Sequence, residues 1–261
     1  MLAEFFCLRA RDLAELLYGR ITDSTEASVR RTVDLLEKQG YVNKTFYRPD
    51  DYSGCGQIPY ACGLSDAGLR RIADELFLPR EACGKTFDEH SAGTVHHELG
   101  ISRFHRALGH YCAERGFRCH WDQRNRNRAI APDAYFAITD PVRPEGKNAL
   151  HYFLEIERAK IGNMKNGEPS IIRKLARYYE YFNSDRCERE WQAFRRFRVI
   201  IVVRNDQKRR NLLAALSERH AHRMFWLTTE DLVPADPGGE IFLTPKDYRD
   251  RAYSFAGAFQ A

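Results

Sequence analysis

Two glutamates end a strand-like segment at residues 150–157, LHYFLEIE. Because side chains in a strand alternate between two faces, Phe153, Glu155 and Glu157 share one face. Two carboxylates side by side at the end of an apolar strand are costly to desolvate unless a positive group, often a metal ion, lies beside them. The pattern therefore indicates a candidate metal site at this end of the strand.

Two further acids lie on other predicted elements. Glu98 belongs to a helix predicted from Thr94 to Gly116, and Asp133 follows Pro132 within an apolar strand predicted over residues 129–138. Mg²⁺ or Mn²⁺ takes oxygen ligands and keeps several waters, so carboxylates from adjacent strands suffice to hold it. Beside a phosphodiester, such an ion polarises a phosphoryl oxygen and lowers the pKa of a bound water. Metal-dependent phosphodiester chemistry is the reaction class that these acids predict.

Each acid also has a purely structural interpretation. A carboxylate such as Glu98 suits a helix start, where it can pair with a histidine or an arginine. Asp133 can be a turn residue after proline. Glu155 and Glu157 can form an ion cluster with Arg158 or Arg128, and the sequence alone leaves this alternative open.

The composition indicates a folded protein that binds a polyanion. The 261 residues are 43% apolar and 12% aromatic, which allows one large or two ordinary domains. Without an apolar run near ~20 residues we expect no membrane insertion and a cytoplasmic location. The net charge is only +5, but arginines cluster at 194–198, at 205–211 and in a loop that holds Arg124, Arg126 and Arg128. One cluster alone is typical of a solvated face; several together favour a polyanion as the partner.

Residues 1–78 form the first predicted domain. A helix over residues 9–18, a second helix capped by Thr22 or Ser24 and stopped at Gly40, two strand-like segments and a third helix follow each other. This order is typical of a winged helix-turn-helix, whose second helix enters the major groove. The residues expected near bases or phosphates are Thr25, Ser28, Arg30 and Arg31. A winged helix used for protein contacts is the alternative.

Residues 79–93 read as a connection, and residues 94–261 form the second predicted domain. Helical and strand-like segments alternate there, and the all-apolar VIIVV at 199–203 is typical of a strand buried on both faces. We expect a mixed sheet flanked by helices, an α/β domain within an α+β chain. Tyr178, Tyr179 and Tyr181 recur at helical spacing beside apolar residues, which predicts a core role.

The acids and their order resemble a known superfamily. Glu98, then Pro132-Asp133, then Glu155-Ile156-Glu157 resembles the PD-(D/E)xK nuclease superfamily, which has an acid in a first helix, PD on one strand and acid-x-lysine on the next. With the preceding winged helix, the chain resembles the replication-relaxation family, which includes MobC-type plasmid mobilization relaxases. The resemblance implies that Asp133 and Glu155 hold Mg²⁺ or Mn²⁺ and that Ile156 lends its carbonyl. It also implies that Glu98 orients a metal-bound water or completes the site.

The departure from the superfamily is Glu157, which stands where a lysine is usual. Either Glu157 binds a second cation, as a further metal ligand, or a lysine reaches in from elsewhere. Lys174 borders the apolar stripe of the next predicted helix and is the preferred candidate; Lys160 is nearer in sequence but lies on a predicted loop.

The resemblance implies sequence-specific DNA nicking by a relaxase at a plasmid transfer origin during conjugative mobilization. It also implies an accessory mobilization protein and a type IV secretion coupling protein as partners. Two alternatives remain open. One is a non-catalytic DNA-binding protein that controls plasmid replication or transcription and retains a degenerate nuclease fold. The other is an endonuclease that cuts both strands.

Overall fold

The structure is a computed structural model that describes residues 5–48, 58–83, 86–87, 92–123, 130–158, 164–165, 168–184, 186–191, 194 and 196–259. The chain forms two compact units, Met1–Ser102 and Arg103–Ala261. The division falls inside a helix, whereas the sequence places the connection at residues 79–93. Arg124, Arg126, Arg128 and Lys160 lie outside the described residues.

The first unit contains the predicted series of two helices, two strands and a third helix. Its elements are β1 (Leu8–Arg9), α1 (Ala10–Tyr18), α2 (Asp23–Lys38), β2 (Val42–Phe46), β3 (Tyr60–Leu64), α3 (Asp66–Leu76) and a 3-10 turn (Arg80–Cys83). Of the two caps predicted for α2 it is Thr22 that acts, because its hydroxyl accepts the Thr25 N–H at 3.1 Å. Gly40, at φ +78°, follows the helix end.

Strand β1 was not predicted, and it completes a three-stranded antiparallel sheet in the order β1-β3-β2. Its two residues are too few to show an alternating pattern. Apolar side chains from α1, α2, α3 and the sheet form one core, which includes Leu13, Val29, Val33 and Leu69. Gly63 in β3 allows a close approach, since a Cβ there would overlap the carbonyl oxygen of Phe6 and the ring of Phe87.

Helix α4 (Ala92–Arg115) contributes to both units and ends at Gly116, which has φ +71°. The strands of the second unit are β4 (Arg118–Asp122), β5 (Ala134–Thr139), β6 (Ala149–Glu157), β7 (Met164–Lys165), β8 (Glu168–Pro169), β9 (Arg198–Val203), β10 (Phe225–Thr229), β11 (Phe242–Leu243) and β12 (Ala252–Tyr253). Its further helices are α5 (Ser170–Phe182), α6 (Arg186–Trp191), α7 (Asp206–Arg219), α8 (Leu232–Ala235) and α9 (Phe255–Ala258).

A seven-stranded mixed sheet forms the centre of the second unit, in the order β12-β11-β10-β9-β6-β5-β4. Strands β6, β9 and β10 are parallel, and the other neighbouring pairs are antiparallel. The expectation of a mixed sheet with helices is confirmed, although most pairs are antiparallel. Among the described residues no helix is long and apolar enough to cross a membrane.

Both faces of this sheet are covered. On one face, Tyr135, Phe153 and Ile201 pack with apolar residues of α5 and α7, and Tyr178 and Tyr181 belong to this core as predicted. On the other face, aromatic rings meet around Phe255 of α9. The six described cysteines are free thiols.

The predicted start of the second strand was wrong. Strand β5 begins at Ala134, so Asp133 precedes the strand and Ile130 lies in a turn. Ala131 has φ +45°, and Pro132 has no N–H to donate to a ladder. These two residues interrupt the extended backbone despite the apolar sequence.

Candidate active site

Asp133 is fixed at the start of β5 by the neighbouring strand. Its backbone N–H donates to the Leu154 carbonyl at 3.1 Å, and its Oδ2 accepts the Ile156 N–H at 2.7 Å. The carboxylate thus satisfies the Ile156 N–H just outside the start of β5. The pairing of Ala134 with Leu154 places Asp133 opposite Glu155 on the same face.

Glu155 is almost completely buried, with 3% of its surface exposed, and it has two donors from one helix. Lys174 Nζ lies 2.5 Å from Oε2, and the Tyr178 hydroxyl donates to Oε1 at 2.6 Å. Because Lys174 and Tyr178 are one turn apart on α5, both reach the same carboxylate. The structure therefore brings together Asp133, Glu155 and Lys174, and adds Tyr178.

The electrostatics of this cluster favour a cation. Burial, and next the nearby Asp133 charge, raise the pKa of Glu155, while Lys174 and the Tyr178 hydrogen bond oppose the shift, and the net result is a pKa of about 8. Burial and the charge of Glu155 likewise hold the pKa of Tyr178 well above its usual value. Asp133 and Glu155 thus form a carboxylate pair with unfavourable mutual repulsion, even with Lys174 present.

The donor set fits a hard divalent cation. In the described parts of the chain, no three His, Cys, Asp or Glu side chains are grouped so that they could hold a metal ion. Mg²⁺ needs only one or two carboxylates, because water and substrate oxygens fill its other positions. Asp133 and Glu155 supply two carboxylates on adjacent strands, and their repulsion would be relieved by the ion.

Glu157 lies two residues further along the same face of β6, and it forms an ion pair with Lys208. Lys208 Nζ is 3.0 Å from Glu157 Oε1 and 3.2 Å from the Glu157 carbonyl oxygen. The next residue, Arg158, binds Glu230 through Nη1 at 2.7 Å. These two ion pairs connect the ends of β6 and β10 and the first turn of α7. A role for Glu157 as a metal ligand stays a prediction.

Glu98 lies in the first unit and is half-buried on α4. Burial of the Cys7 thiol, and next the charge of Glu98, raise the pKa of Cys7. The predicted part of Glu98 in the site stays a prediction.

The predicted DNA-contacting residues of α2 differ in their surroundings. The Thr25 hydroxyl accepts the Thr22 N–H at 2.9 Å and so takes part in the helix cap. Arg30 forms an ion pair with Glu26 at 2.5 Å, and Ser28 is half-buried. Arg31 is exposed and forms no ion pair with any described residue.

Two residues of the site were missed from the sequence. Tyr178 was interpreted as core, which is correct, but its hydroxyl needs a partner when buried, and its position four residues after Lys174 was the available signal. Lys208 follows a buried strand at the start of a helix. Its contact with Glu157 depends on β6 and β9 being parallel neighbours, and the sequence pattern does not determine strand order.

Comparisons with known proteins place the chain in a family. No curated protein and no solved structure matches it. A family model described as replication-relaxation matches residues 1–196 of the 261. The protein belongs to the replication-relaxation family, and this membership suggests a role in plasmid replication or mobilization and implies an interaction with DNA.

Proposed function

We propose that the protein is a metal-dependent DNA endonuclease that nicks one strand at a plasmid transfer origin, in the manner of a MobC-type relaxase. The observation that carries the proposal is the placement of Asp133 and Glu155 side by side, with Lys174 and Tyr178 on the two oxygens of Glu155. Paired carboxylates can hold the divalent ion that assists phosphodiester hydrolysis, and an adjacent lysine can stabilise the negative charge of the phosphate. Family membership supports DNA as the substrate.

Each residue of the cluster has a distinct proposed role. Asp133 and Glu155 would hold Mg²⁺ or Mn²⁺, with the Ile156 carbonyl as a further oxygen ligand. When bound, the ion would polarise a phosphoryl oxygen and lower the pKa of a ligated water. Lys174 orients Glu155 and supplies positive charge beside the reacting phosphate. Tyr178 acts as a positioning residue, because its hydrogen bond at 2.6 Å fixes the other oxygen of Glu155.

The proposal explains how the site works without a lysine at position 157. Lys174 from α5 supplies a cation at Glu155, and Lys208 from α7 neutralises Glu157. On this basis the catalytic domain is a PD-(D/E)xK-like sheet in which the lysine side chain comes from helix α5 instead of from position 157 on β6. Lys174 is the preferred substitute, as the sequence predicted.

The first unit would recognise duplex DNA. Its two helices, strand pair and third helix are consistent with a winged helix whose α2 enters the major groove. Arg31, which is exposed, would contact bases or phosphates, with Thr25, Ser28 and Arg30 beside it. Arg124, Arg126 and Arg128, which lie outside the described residues, would hold the DNA backbone across the active site. An accessory mobilization protein and a coupling protein would act at later steps.

The test of nicking uses supercoiled parent plasmid with Mg²⁺, Mn²⁺ or EDTA. The wild type should give a metal-dependent open circle, and Asp133→Asn should not. Asparagine is preferable to alanine because its side-chain oxygen still accepts the Ile156 N–H, so the ladder is kept. Lys174→Met should also lose nicking.

Lys147→Met is the matched control, since Lys147 is exposed in the turn at the far end of the β5–β6 hairpin. It should nick at the wild-type rate. A linear product instead of an open circle would indicate an endonuclease that cuts both strands.

A specific observation favours a second candidate, a non-catalytic DNA-binding regulator. Both glutamates of the segment, Glu155 and Glu157, already pair with lysines of the protein. A site neutralised in this way can be a purely structural ion-pair network. Plasmid that stays supercoiled with every metal, while DNA binding is retained, would support the regulator and contradict the nickase.

A further inference from the structure

Helix α5 presents two exposed arginines beside the candidate active site. Arg173 and Arg177 are one helical turn apart, and neither forms an ion pair or a hydrogen bond with another described residue. By contrast, two other exposed arginines of the second unit are held in ion pairs: Arg186 binds Glu190 at 3.0 Å and Arg223 binds Asp247 at 2.7 Å. The two α5 arginines therefore have their donors available for a partner.

Their position relative to the site follows from helix geometry. Lys174 and Tyr178 both reach Glu155, and Arg173 and Arg177 are the residues that directly precede them. In an α-helix, consecutive residues are separated by about 100° around the axis. The arginine pair thus runs parallel to the Lys174–Tyr178 pair, on the adjoining, exposed side of the same two turns. A molecule bound to the arginines would lie next to the carboxylates.

The chemistry of the pair fits a chain of phosphates. Arginine donates in a planar fork that matches phosphate oxygens, and side chains four residues apart have Cβ atoms about 5–6 Å from each other. Two such forks along one helix suit successive anionic groups along a backbone. Along the exposed side of the helix the first acid is Glu180, three residues after Arg177.

We propose that Arg173 and Arg177 hold the sugar-phosphate backbone of the nucleic acid strand that enters the site, so that the strand crosses α5 next to Asp133 and Glu155. The inference rests on the proposed function, since it assigns the strand-binding surface of that same site. It adds a backbone contact on a described helix to the arginine loop at residues 124–128. An acidic segment of a partner protein is the competing occupant.

The test measures the salt dependence of DNA binding by the full-length protein in EDTA, where no cleavage occurs. Fluorescence anisotropy with labelled single-stranded and duplex oligonucleotides, from about 50 to 200 mM salt, gives the slope of log K against log[salt]. Each lost phosphate contact should reduce this slope by about 0.7 on a single strand or about 0.9 on a duplex. The double variant Arg173→Gln/Arg177→Gln should therefore lose about 1.4 to 1.8.

The matched control is Arg186→Gln/Arg223→Gln, which removes the same charge from exposed, ion-paired positions of the same unit that lie outside the arginine clusters of the sequence. It should keep the wild-type slope, and both double variants should keep the wild-type melting temperature. An unchanged slope in Arg173→Gln/Arg177→Gln would overturn the inference. If this double variant keeps the wild-type slope but no longer binds poly-glutamate, the arginine pair of α5 is a binding surface for an acidic protein segment.

These outcomes are separate from those of the nicking test. If the wild type never nicks but Arg173→Gln/Arg177→Gln has a reduced slope, the strand-binding surface is supported and the nickase is refuted. If the wild type nicks but the double variant keeps the wild-type slope, the nickase is supported and the surface is refuted. A wild type that binds neither oligonucleotide would overturn both proposals.

Discussion

Substitution of Glu155 by glutamine should change how the stability of the protein depends on pH. Glu155 is buried with Asp133, Lys174 and Tyr178 around its carboxyl group, and its pKa is raised to about 8, from 4.5 for an ordinary glutamate. A raised pKa in the folded state means that the folded protein binds the proton more tightly than the unfolded chain does. The stabilisation is therefore complete below pH 4.5 and is lost as the pH rises through 8.

The magnitude follows from the size of the shift. One pKa unit corresponds to about 1.4 kcal/mol, so the stability of the wild type relative to Glu155→Gln should fall by about 3–4 kcal/mol between pH 5 and pH 8. The steepest change is about 1.4 kcal/mol per pH unit. Glutamine has nearly the same shape and does not titrate, so the titrating groups that do not interact with Glu155 are shared by the two proteins and cancel in the difference.

The assay is urea denaturation followed by circular dichroism, for both proteins, at pH steps from 5 to 9 in EDTA. The difference in the free energy of unfolding is plotted against pH. A difference that stays flat, or that increases with pH, would refute the reasoning, because it would mean that Glu155 is an ordinary ionised carboxylate in the folded protein. Such a result would also remove the electrostatic argument for a cation at this position.

Three further outcomes can be measured by the same denaturation. Lys208→Met should cost about 1–3 kcal/mol, because the half-buried Glu157 loses its partner, whereas a cost below 0.5 kcal/mol would contradict this ion pair's role. The pKa of His105 is lowered by burial from 6.5 to about 4, so the wild type should lose about 3 kcal/mol more than His105→Phe as the pH falls from 7 to 4, and parallel curves would contradict it. Gly63→Ala should destabilise by about 1–3 kcal/mol, while Gly109→Ala, in open space on α4, should stabilise by up to about 1 kcal/mol; equal effects would contradict the close approach at Gly63.

The parts of the site that the sequence predicted are those set by local geometry. The period of two in a strand places Glu155 and Phe153 on the same face, and the structure confirms that Phe153 points into the core beneath α5. The stripe of apolar residues on α5 placed Lys174 at the border of that core. Both patterns involve residues within one element, where backbone periodicity alone determines the direction of a side chain.

The parts that the sequence could not give depend on contacts between distant elements. Lys208 meets Glu157 only because α7 follows β9 and β9 lies parallel to β6. The start of β5 was misplaced because the apolar run concealed the positive φ of Ala131. Strand β1 has only two residues, so it can be recognised as a strand only from its pairing with β3. In each case the deciding partner is remote or the pattern is too short.

The register of β6 has a consequence for the order in which the domain folds. Strand β6 pairs with β5 through a short turn, with Thr139 opposite Ala149, but it reaches β9 only across a much longer connection, with Glu155 opposite Ile201. Short loops cost less entropy to close, so we expect the β5–β6 hairpin to form before the parallel ladder. Asp133 and Glu155 would then meet early in folding, and Lys208 would arrive late. Refolding should accordingly be faster at mildly acidic pH, where protonation removes the repulsion between the two carboxylates.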